Sequence, residues 1–362
     1  LGIPTIEPYM GFSNGQDVYL TGTVMEDKGL DKPRPGQSFM TNMIAMIKRY
    51  VSDEISGFRF QISFCGRTEI VETNELGIFH CYFKFNEGLS RIKDKEEARY
   101  LLLDEVVENQ DSVAASGEVL VVSGNPRFGV VSDIDDTVMV SHSTDALKKL
   151  RLMLFKNART RVPFEGVAAF YRALRKGRNG QKDFSPVFYV SSSEWNLYDL
   201  LVDFFDFRNI PRGPLLLREL EHSIFHFWKW GKGNHDHKLE KIRFLFSFFE
   251  DMNFVLIGDS GQHDPEIYLQ VVREWPQRVK AVYIRCIGKS KKNHRTIRIA
   301  REMNQLNVPL LLIGNTGEAA SNALMNGYID ASSMPDIARQ LEEDHNIRFT
   351  DYFHSQDESV SN

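Results

Sequence analysis

"FGVVSDIDDTVMVS", Phe128 to Ser141, begins as an apolar run and then places three carboxylates within four residues. Phe128, Val130 and Val131 read as a buried strand, and Asp133, Asp135 and Asp136 stand where it stops. Carboxylates this close repel one another, so a fold that gathers them needs a cation to offset the charge. A polar strand terminus built from the turn formers Asp and Thr gives the same string. The other strand ends have to decide between the two.

After Pro126 short apolar strands alternate with helical patterns. The strands are "FGVVSDID", "PVFYVSSS", "GPLLLREL", "NFVLIGDS", "VKAVYIRC" and "VPLLLIGN", with "GVAAFYRALRKG" and "HKLEKIRFLFSFFED" among the helices between them. This alternation predicts a parallel sheet covered on both faces, an α/β domain over residues 126–345. In such sheets ligands bind beyond the carboxyl ends of the strands. The first strand ends in Asp133-x-Asp135-x-Thr137, the second in Ser191, Ser192 and Ser193, and "NFVLIG" in Asp259 with Asp264 close behind. Lys238 opens a helix, where a cation opposes the dipole, so a task beyond structure is expected of it. The helix itself is supported by an apolar stripe of Leu239, Ile242, Phe246 and Phe249. A carboxylate nucleophile, hydroxyls, a cation and further carboxylates facing one cleft suit phosphoryl transfer through an aspartyl-phosphate, with a hard divalent cation held by oxygens. Ser192 and Ser193 also read as caps of the next helix, and Asp264 before Pro265 as an N-cap.

Residues 1–125 carry a strand's period instead. "DVYLTGTVM", "FRFQISFCG", "IFHCYFKF" and "GEVLVVSG" are rich in β-branched and aromatic residues and predict a small antiparallel β-sandwich. Asn74 and Gly77 in "VETNELGIFHCYF" suggest a hairpin, and "SFMTNMIAMIKRYVSD" reads as either helix or strand. No carboxylates, His or Cys cluster here at ligand spacing, which points to a scaffold or docking module. Residues 346–362 form a polar, acidic tail that is expected to fray.

The 362 residues, 42% hydrophobic and 26% charged, are enough for two cores. No apolar run approaches the ~20 residues needed to cross a bilayer. The start lacks a secretory leader's basic and apolar regions, and it lacks Met, so residues upstream of Leu1 are expected. Three scattered cysteines fit neither a disulfide framework nor a zinc site, although Cys65 and Cys81 could face each other across a hairpin; a reducing cytoplasm is the expected setting. The net charge of −5 hides basic runs: eleven Lys/Arg between Ser141 and Lys182 against Asp145 and Glu165, and "KSKKNHRTIRIAR" from Lys289 to Arg301. These read as solvated helix faces or as attraction to an anionic partner, phosphate or a lipid surface. No base-reading motif accompanies them, so nucleic acid is not expected as a partner.

Taken together, "FGVVSDIDDTV", "VPFEGVAAFYRAL", "FYVSSSEWNLYDLL", "PRGPLLLRE", "HKLEKI", "NFVLIGDSGQHDPEIY" and "RVKAVYIR" resemble the haloacid-dehalogenase superfamily of phosphohydrolases. Within it they resemble the actin-patch-type phosphatidate phosphatases, over about residues 126 to 288. The resemblance implies a Rossmann-like parallel sheet with Asp133 as nucleophile and Asp135 as general acid and base. It also implies Ser191, Ser192, Thr137 and Lys238 on phosphoryl oxygens, and Mg²⁺ held by Asp133, the Asp135 carbonyl and Asp259, with Asp264 either a further ligand or a support behind the ligands. Glu194 stands where the family pattern has Pro, and either residue suits a first helical turn. With about fifty residues after Thr137 and fewer between Arg218 and His237, the resemblance implies an open site without a large cap, which suits a membrane-embedded substrate. Within that second insertion, "HSIFHFWKWGKG" with Trp228, Trp230, Lys229 and Lys232 reads as an interfacial loop or as ordinary aromatic packing. Three readings follow: a Mg²⁺-dependent phosphatidate phosphatase at a peripheral membrane surface, the same chemistry on a soluble phosphoester or phosphoprotein, and a non-catalytic lipid-binding module. The presence of both Asp133 and Asp135 weighs against the last.

Overall fold

The computed structural model describes residues 3–27, 56–89, 95–105, 110–122, 126–134, 165–177, 184–218, 237–260, 263–286 and 291–357. Asp135, Asp136, Thr137, the segment 38–53, the loop Ile224–Lys232 and most of the basic run 141–182 lie outside them.

The N-terminal part contributes β1 (Ile3–Pro8), β2 (Gly11–Ser13), β3 (Asp17–Asp27), β4 (Arg59–Phe64), β5 (Arg67–Glu72), β6 (Ile78–Lys84), β7 (Lys95–Leu102) and β8 (Ala114–Val121). Period-two burial builds its core: Phe60, Ile62 and Phe64 point inward from β4, while Arg59, Gln61 and Ser63 between them face outward. The expected sandwich is a single eight-stranded sheet, ordered β1-β3-β2-β8-β7-β4-β5 with β6 on β3. It folds over so that β4 and β6 face each other, Phe60 meeting Phe79 edge-on at 4.4 Å between ring centroids. Asn74–Gly77 does form a turn, closed by Asn74 N–H to Ile78 O (2.8 Å) and Gly77 N–H to Asn74 O (2.9 Å). The strands it joins do not pair, however: β5 pairs with β4 and β6 with β3. The hairpin is instead β4–β5, turning at Cys65 and Gly66, whose φ values of 46° and 78° match the primed two-residue turn. Cys65 is exposed in that turn and Cys81 is buried in β6, so the two do not meet; both, with Cys286, are free thiols.

The second part is a six-stranded parallel sheet of β9 (Gly129–Asp133), β10 (Val187–Glu194), β11 (Leu215–Arg218), β12 (Phe254–Asp259), β13 (Val279–Arg285) and β14 (Leu310–Ile313). All six sequence-predicted strands are present. Between and after them come α1 (Val167–Lys176), α2 (Tyr198–Phe207), α3 (His237–Phe248), α4 (Asp264–Glu274), α5 (Lys291–Gln305), α6 (Thr316–Met325) and α7 (Met334–Asp357). The sheet order is β11-β10-β9-β12-β13-β14, so the direction of winding reverses between β9 and β12. Strand residues alternate between two cores. Val130, Tyr189, Val255 and Tyr283 pack with residues of α1, α2, α6 and α7; Val131, Phe188, Leu256 and Val282 pack with α3, α4 and α5. The polar tail expected from residue 346 continues α7 as far as Asp357.

The two parts share cores. Phe12 of β2, 2% exposed, packs among Phe188, Phe244, Phe248 and Phe249. Tyr9 stacks on Tyr198 at 4.0 Å, the Tyr198 hydroxyl accepts from Met10 N–H (2.7 Å), and Asn14 Nδ2 donates to Phe248 O (2.7 Å).

Candidate active site

In a doubly wound sheet the crevice opens where the strand order reverses, at the carboxyl ends of the two central strands. Here those ends are Asp133 on β9 and Asp259 on β12. Apolar runs buried on both faces carry both residues to the same edge. Asp259 is 4% exposed, and Asp264, at the first position of α4, is fully buried. Asp264 does not cap its helix, which starts after His263 without a side-chain cap. Its carboxylate turns back to the strand end, where Oδ2 accepts from Asp259 N–H at 3.0 Å. Gly258 allows that approach, because a Cβ there would lie 2.6 Å from Asp264 Oδ2.

Oxygens of Asp133, Asp259 and Asp264 all lie within 4.8 Å of one another. Lys238, 6% exposed at the second position of α3, offsets one of the three charges. Its Nζ is 2.9 Å from Asp133 Oδ1 and donates to Asp264 Oδ1 at 3.1 Å. Two negative charges remain in a buried, all-oxygen donor set. That fits a hard divalent cation such as Mg²⁺, and the chemistry of the donors favours it over a softer metal.

The serines sit where β10 leaves its ladders. Pairing with β9 ends at Val190–Asp133, and the register with β11 shifts between Val190 and Glu194. Ser191 is buried, Ser192 exposed and Ser193 buried. Ser191 Oγ accepts from Ser193 N–H at 2.9 Å. Ser192 and Ser193 do not cap the following helix: a 3₁₀ turn, Trp195–Leu197, comes first, and α2 starts without a side-chain cap. Glu194 is the last residue of β10, in register with Arg218, rather than the first of a helix.

Two features escaped the sequence reading. Lys241, also 6% exposed, donates from Nζ to Ser191 O at 2.9 Å. Behind Asp133, Ser132 Oγ lies 2.6 Å from the Tyr171 hydroxyl and donates to Asp133 O at 3.1 Å. Burial pushes Tyr171 up to about 12, with Asp133 adding to the rise, so the phenol stays neutral. Of the second basic run, the part from Lys291 onward lies on α5; Arg295 pairs with Glu266, two residues beyond Asp264, and Ile297, Arg298 and Arg301 are exposed.

Residues 128–286 match the family model described as phosphatidate phosphatase APP1, catalytic domain. This segment resembles that catalytic domain. The phosphatidate phosphatase APP1 of Saccharomyces cerevisiae is 30% identical over 163 residues, 45% of this chain and 26% of that protein. An uncharacterized protein of Schizosaccharomyces pombe is 28% identical over 196 residues, 53% of this chain and 30% of that one. The matches thus span under a third of either relative's length. Among solved structures, a carbohydrate acetylesterase from Xanthomonas citri shares 9% identity at a TM-score of 0.29, over 86% of this chain and 69% of that one.

Proposed function

We propose that this chain is a Mg²⁺-dependent phosphatidate phosphatase of the haloacid-dehalogenase type, releasing diacylglycerol and phosphate. One observation carries the reading: Asp133 stands at the strand-order reversal in an APP1-type segment, within 4.8 Å of Asp259 and Asp264 and bonded to Lys238. Mg²⁺ would be held by Asp133, Asp259 and Asp264, and when bound it would neutralise charge on the phosphoryl oxygens.

The chain's own groups supply the rest. An Asp133 carboxylate oxygen attacks phosphorus and the bond to the glycerol oxygen breaks. Asp135, in the role the resemblance gives it, donates a proton to that leaving oxygen. It then takes one from the water that attacks the aspartyl-phosphate, which frees phosphate and restores the carboxylate. Lys238, placed between Asp133 and Asp264, would bind phosphoryl oxygens as their charge grows. Ser191 and Ser192 would donate from the strand end, with Thr137 assigned the same task.

Among the described residues no helix is long and apolar enough to cross a membrane. A lipid substrate would then be met at a surface, and the exposed Arg298 and Arg301 on α5 suit an anionic one. The test is phosphate release from phosphatidate in mixed micelles, beside sugar phosphates, nucleotides and phosphopeptides. Phosphatidate should be preferred, excess EDTA should abolish turnover and Mg²⁺ restore it. Asp133→Asn should fall to background with its melting temperature retained. Substantial turnover by folded Asp133→Asn would sink the mechanism, and preference for a soluble ester would sink the lipid reading.

A further inference from the structure

Lys241 is one helical turn beyond Lys238 on α3, and its ammonium bonds the carbonyl of Ser191 at 2.9 Å. Its neighbours Leu239, Ile242 and Leu245 are core residues, and an apolar side chain would suit this face of the helix. A buried ammonium is unfavourable unless its bonds are needed. The strand end it holds has lost its usual support. Beyond Val190 the ladder with β9 has ended and the one with β11 resumes only at Glu194, so residues 191–193 have no regular register. Bonds that shape them include Ser193 N–H to Ser191 Oγ at 2.9 Å and Lys241 to Ser191 O.

We propose that Lys241 is a positioning residue for phosphate recognition, its ammonium fixing the Ser191–Ser192 peptide so that the bulged serines keep one orientation toward the cleft. This rests on the phosphatase reading above. The peptide is trans, so its C=O and N–H point in opposite directions. Drawing the Ser191 carbonyl toward α3 turns the Ser192 N–H away from α3 and stops the peptide from rotating. Ser191 Oγ, by accepting from Ser193 N–H, has its own O–H directed as a donor. Lys238 bonds two carboxylates of the cluster, while Lys241 holds the backbone that carries the serines.

The experiment titrates the Mg²⁺-loaded full chain with inorganic phosphate by calorimetry, and measures kcat and KM on a soluble phosphoester. Lys241→Met should weaken phosphate binding roughly tenfold to a hundredfold, the worth of a hydrogen bond from a charged donor, and raise KM more than it lowers kcat. Lys241→Arg, which keeps a charged donor, should recover most of the affinity. Because the effect passes through the serines, Lys241→Met should add little in a Ser191→Ala background. A Lys241→Met protein with a lowered melting temperature but unchanged phosphate affinity would overturn the role. So would losses that multiply independently with Ser191→Ala. If Lys241→Met does not fold, the smaller loss in Lys241→Arg must likewise vanish in the Ser191→Ala background. Absence of phosphate binding by the unsubstituted chain would overturn the phosphatase reading, and this role with it.

Discussion

Asp264 can reach the end of β12 only because residue 258 has no side chain. In Gly258→Ala the new Cβ would lie 2.6 Å from Asp264 Oδ2 and 2.9 Å from Tyr268 Cε2, closer than real contacts allow. The atoms it meets belong to the side chains of Asp264 and the buried Tyr268, whose ring is packed in the core, so the carboxylate is the part that yields, and it loses the bond from Asp259 N–H. Such overpacking costs about 1 to 3 kcal/mol, and disturbing a ligand's support weakens a metal site roughly 10- to 100-fold. Gly258→Ala should therefore raise the Mg²⁺ concentration for half-activation by that order; an unchanged Mg²⁺ titration would show that Asp264 lies outside the metal set. At this scale the sequence was most informative where a charge breaks a pattern. Asp133 and Asp259 end apolar strands and Lys238 opens a helix against its dipole, and these pattern breaks singled out residues that the fold brings together. Lys241 was hidden because a lysine inside a helix normally reads as solvated, and its partner is fifty residues away. Ser132 and Tyr171 were hidden because a strand serine and a helix tyrosine announce no partnership until the fold sets them 2.6 Å apart.

Elements declared themselves through their period, and connections did not. Six short apolar runs became the six parallel strands, since burial on both faces requires nothing else of a strand. The Asn74–Gly77 turn was legible, but pairing is decided by partners far along the chain, and β6 found β3 instead of β5. The Cys65–Gly66 turn was missed because Cys rarely occupies left-handed backbone. The acidic composition after residue 346 concealed a helix whose earlier turns are anchored by packing. One anchor is Asp344 of α7, buried, with Oδ2 accepting from Gly166 N–H at 2.8 Å, at the entry to α1. Burial holds this carboxyl above the usual range, Glu165 and Glu343 pushing the same way and the Gly166 bond and Arg208 opposing. A carboxyl raised on folding binds its proton more tightly in the native state, so its stabilisation is complete in acid and is lost as pH rises through the carboxylate range. Asp344→Asn keeps an acceptor and does not titrate. Its denaturant stability, relative to the unsubstituted chain, should improve steadily from acid to neutral pH. A relative loss over that interval would mean that the ionised carboxylate is what holds α7.

For the molecule as a whole, the change of period near Pro126 coincides with the passage from the first sheet to the parallel one but says nothing about how firmly the two parts join. A chain boundary is visible in sequence, whereas an interface is made of residues that look like ordinary core from either side. Phe12 illustrates this: within its own three-residue strand it is one more aromatic, yet it sits in the core shared with α3 and β10. Phe188 is 0% exposed and Phe249 4% exposed with that ring in place. The complete set of described site residues lies after Pro126, which on its own suggests that the second half could act alone. The junction argues otherwise. Removing residues 1–125 would bare Phe188, Phe248, Phe249 and Tyr198 together, and would leave the Phe248 carbonyl and Tyr198 hydroxyl without Asn14 and Met10. Each large apolar side chain returned to water costs about 1.5 to 3 kcal/mol, so four of them approach the whole stability of a domain. A contiguous aromatic patch is also an aggregation surface. A chain starting at residue 126 should therefore elute as soluble aggregate and lack a cooperative melt. Phe12→Ala in the full chain should lower unfolding stability by about 3 to 5 kcal/mol, the range for a buried phenylalanine. The site would be reached through β10: loosening the packing on Phe188 moves the strand that ends in Ser191, so phosphate affinity should fall along with stability. A monomeric 126–362 chain that melts cooperatively and binds phosphate as the full chain does would show the junction to be dispensable, and the N-terminal sheet would then be a module whose role lies away from the site.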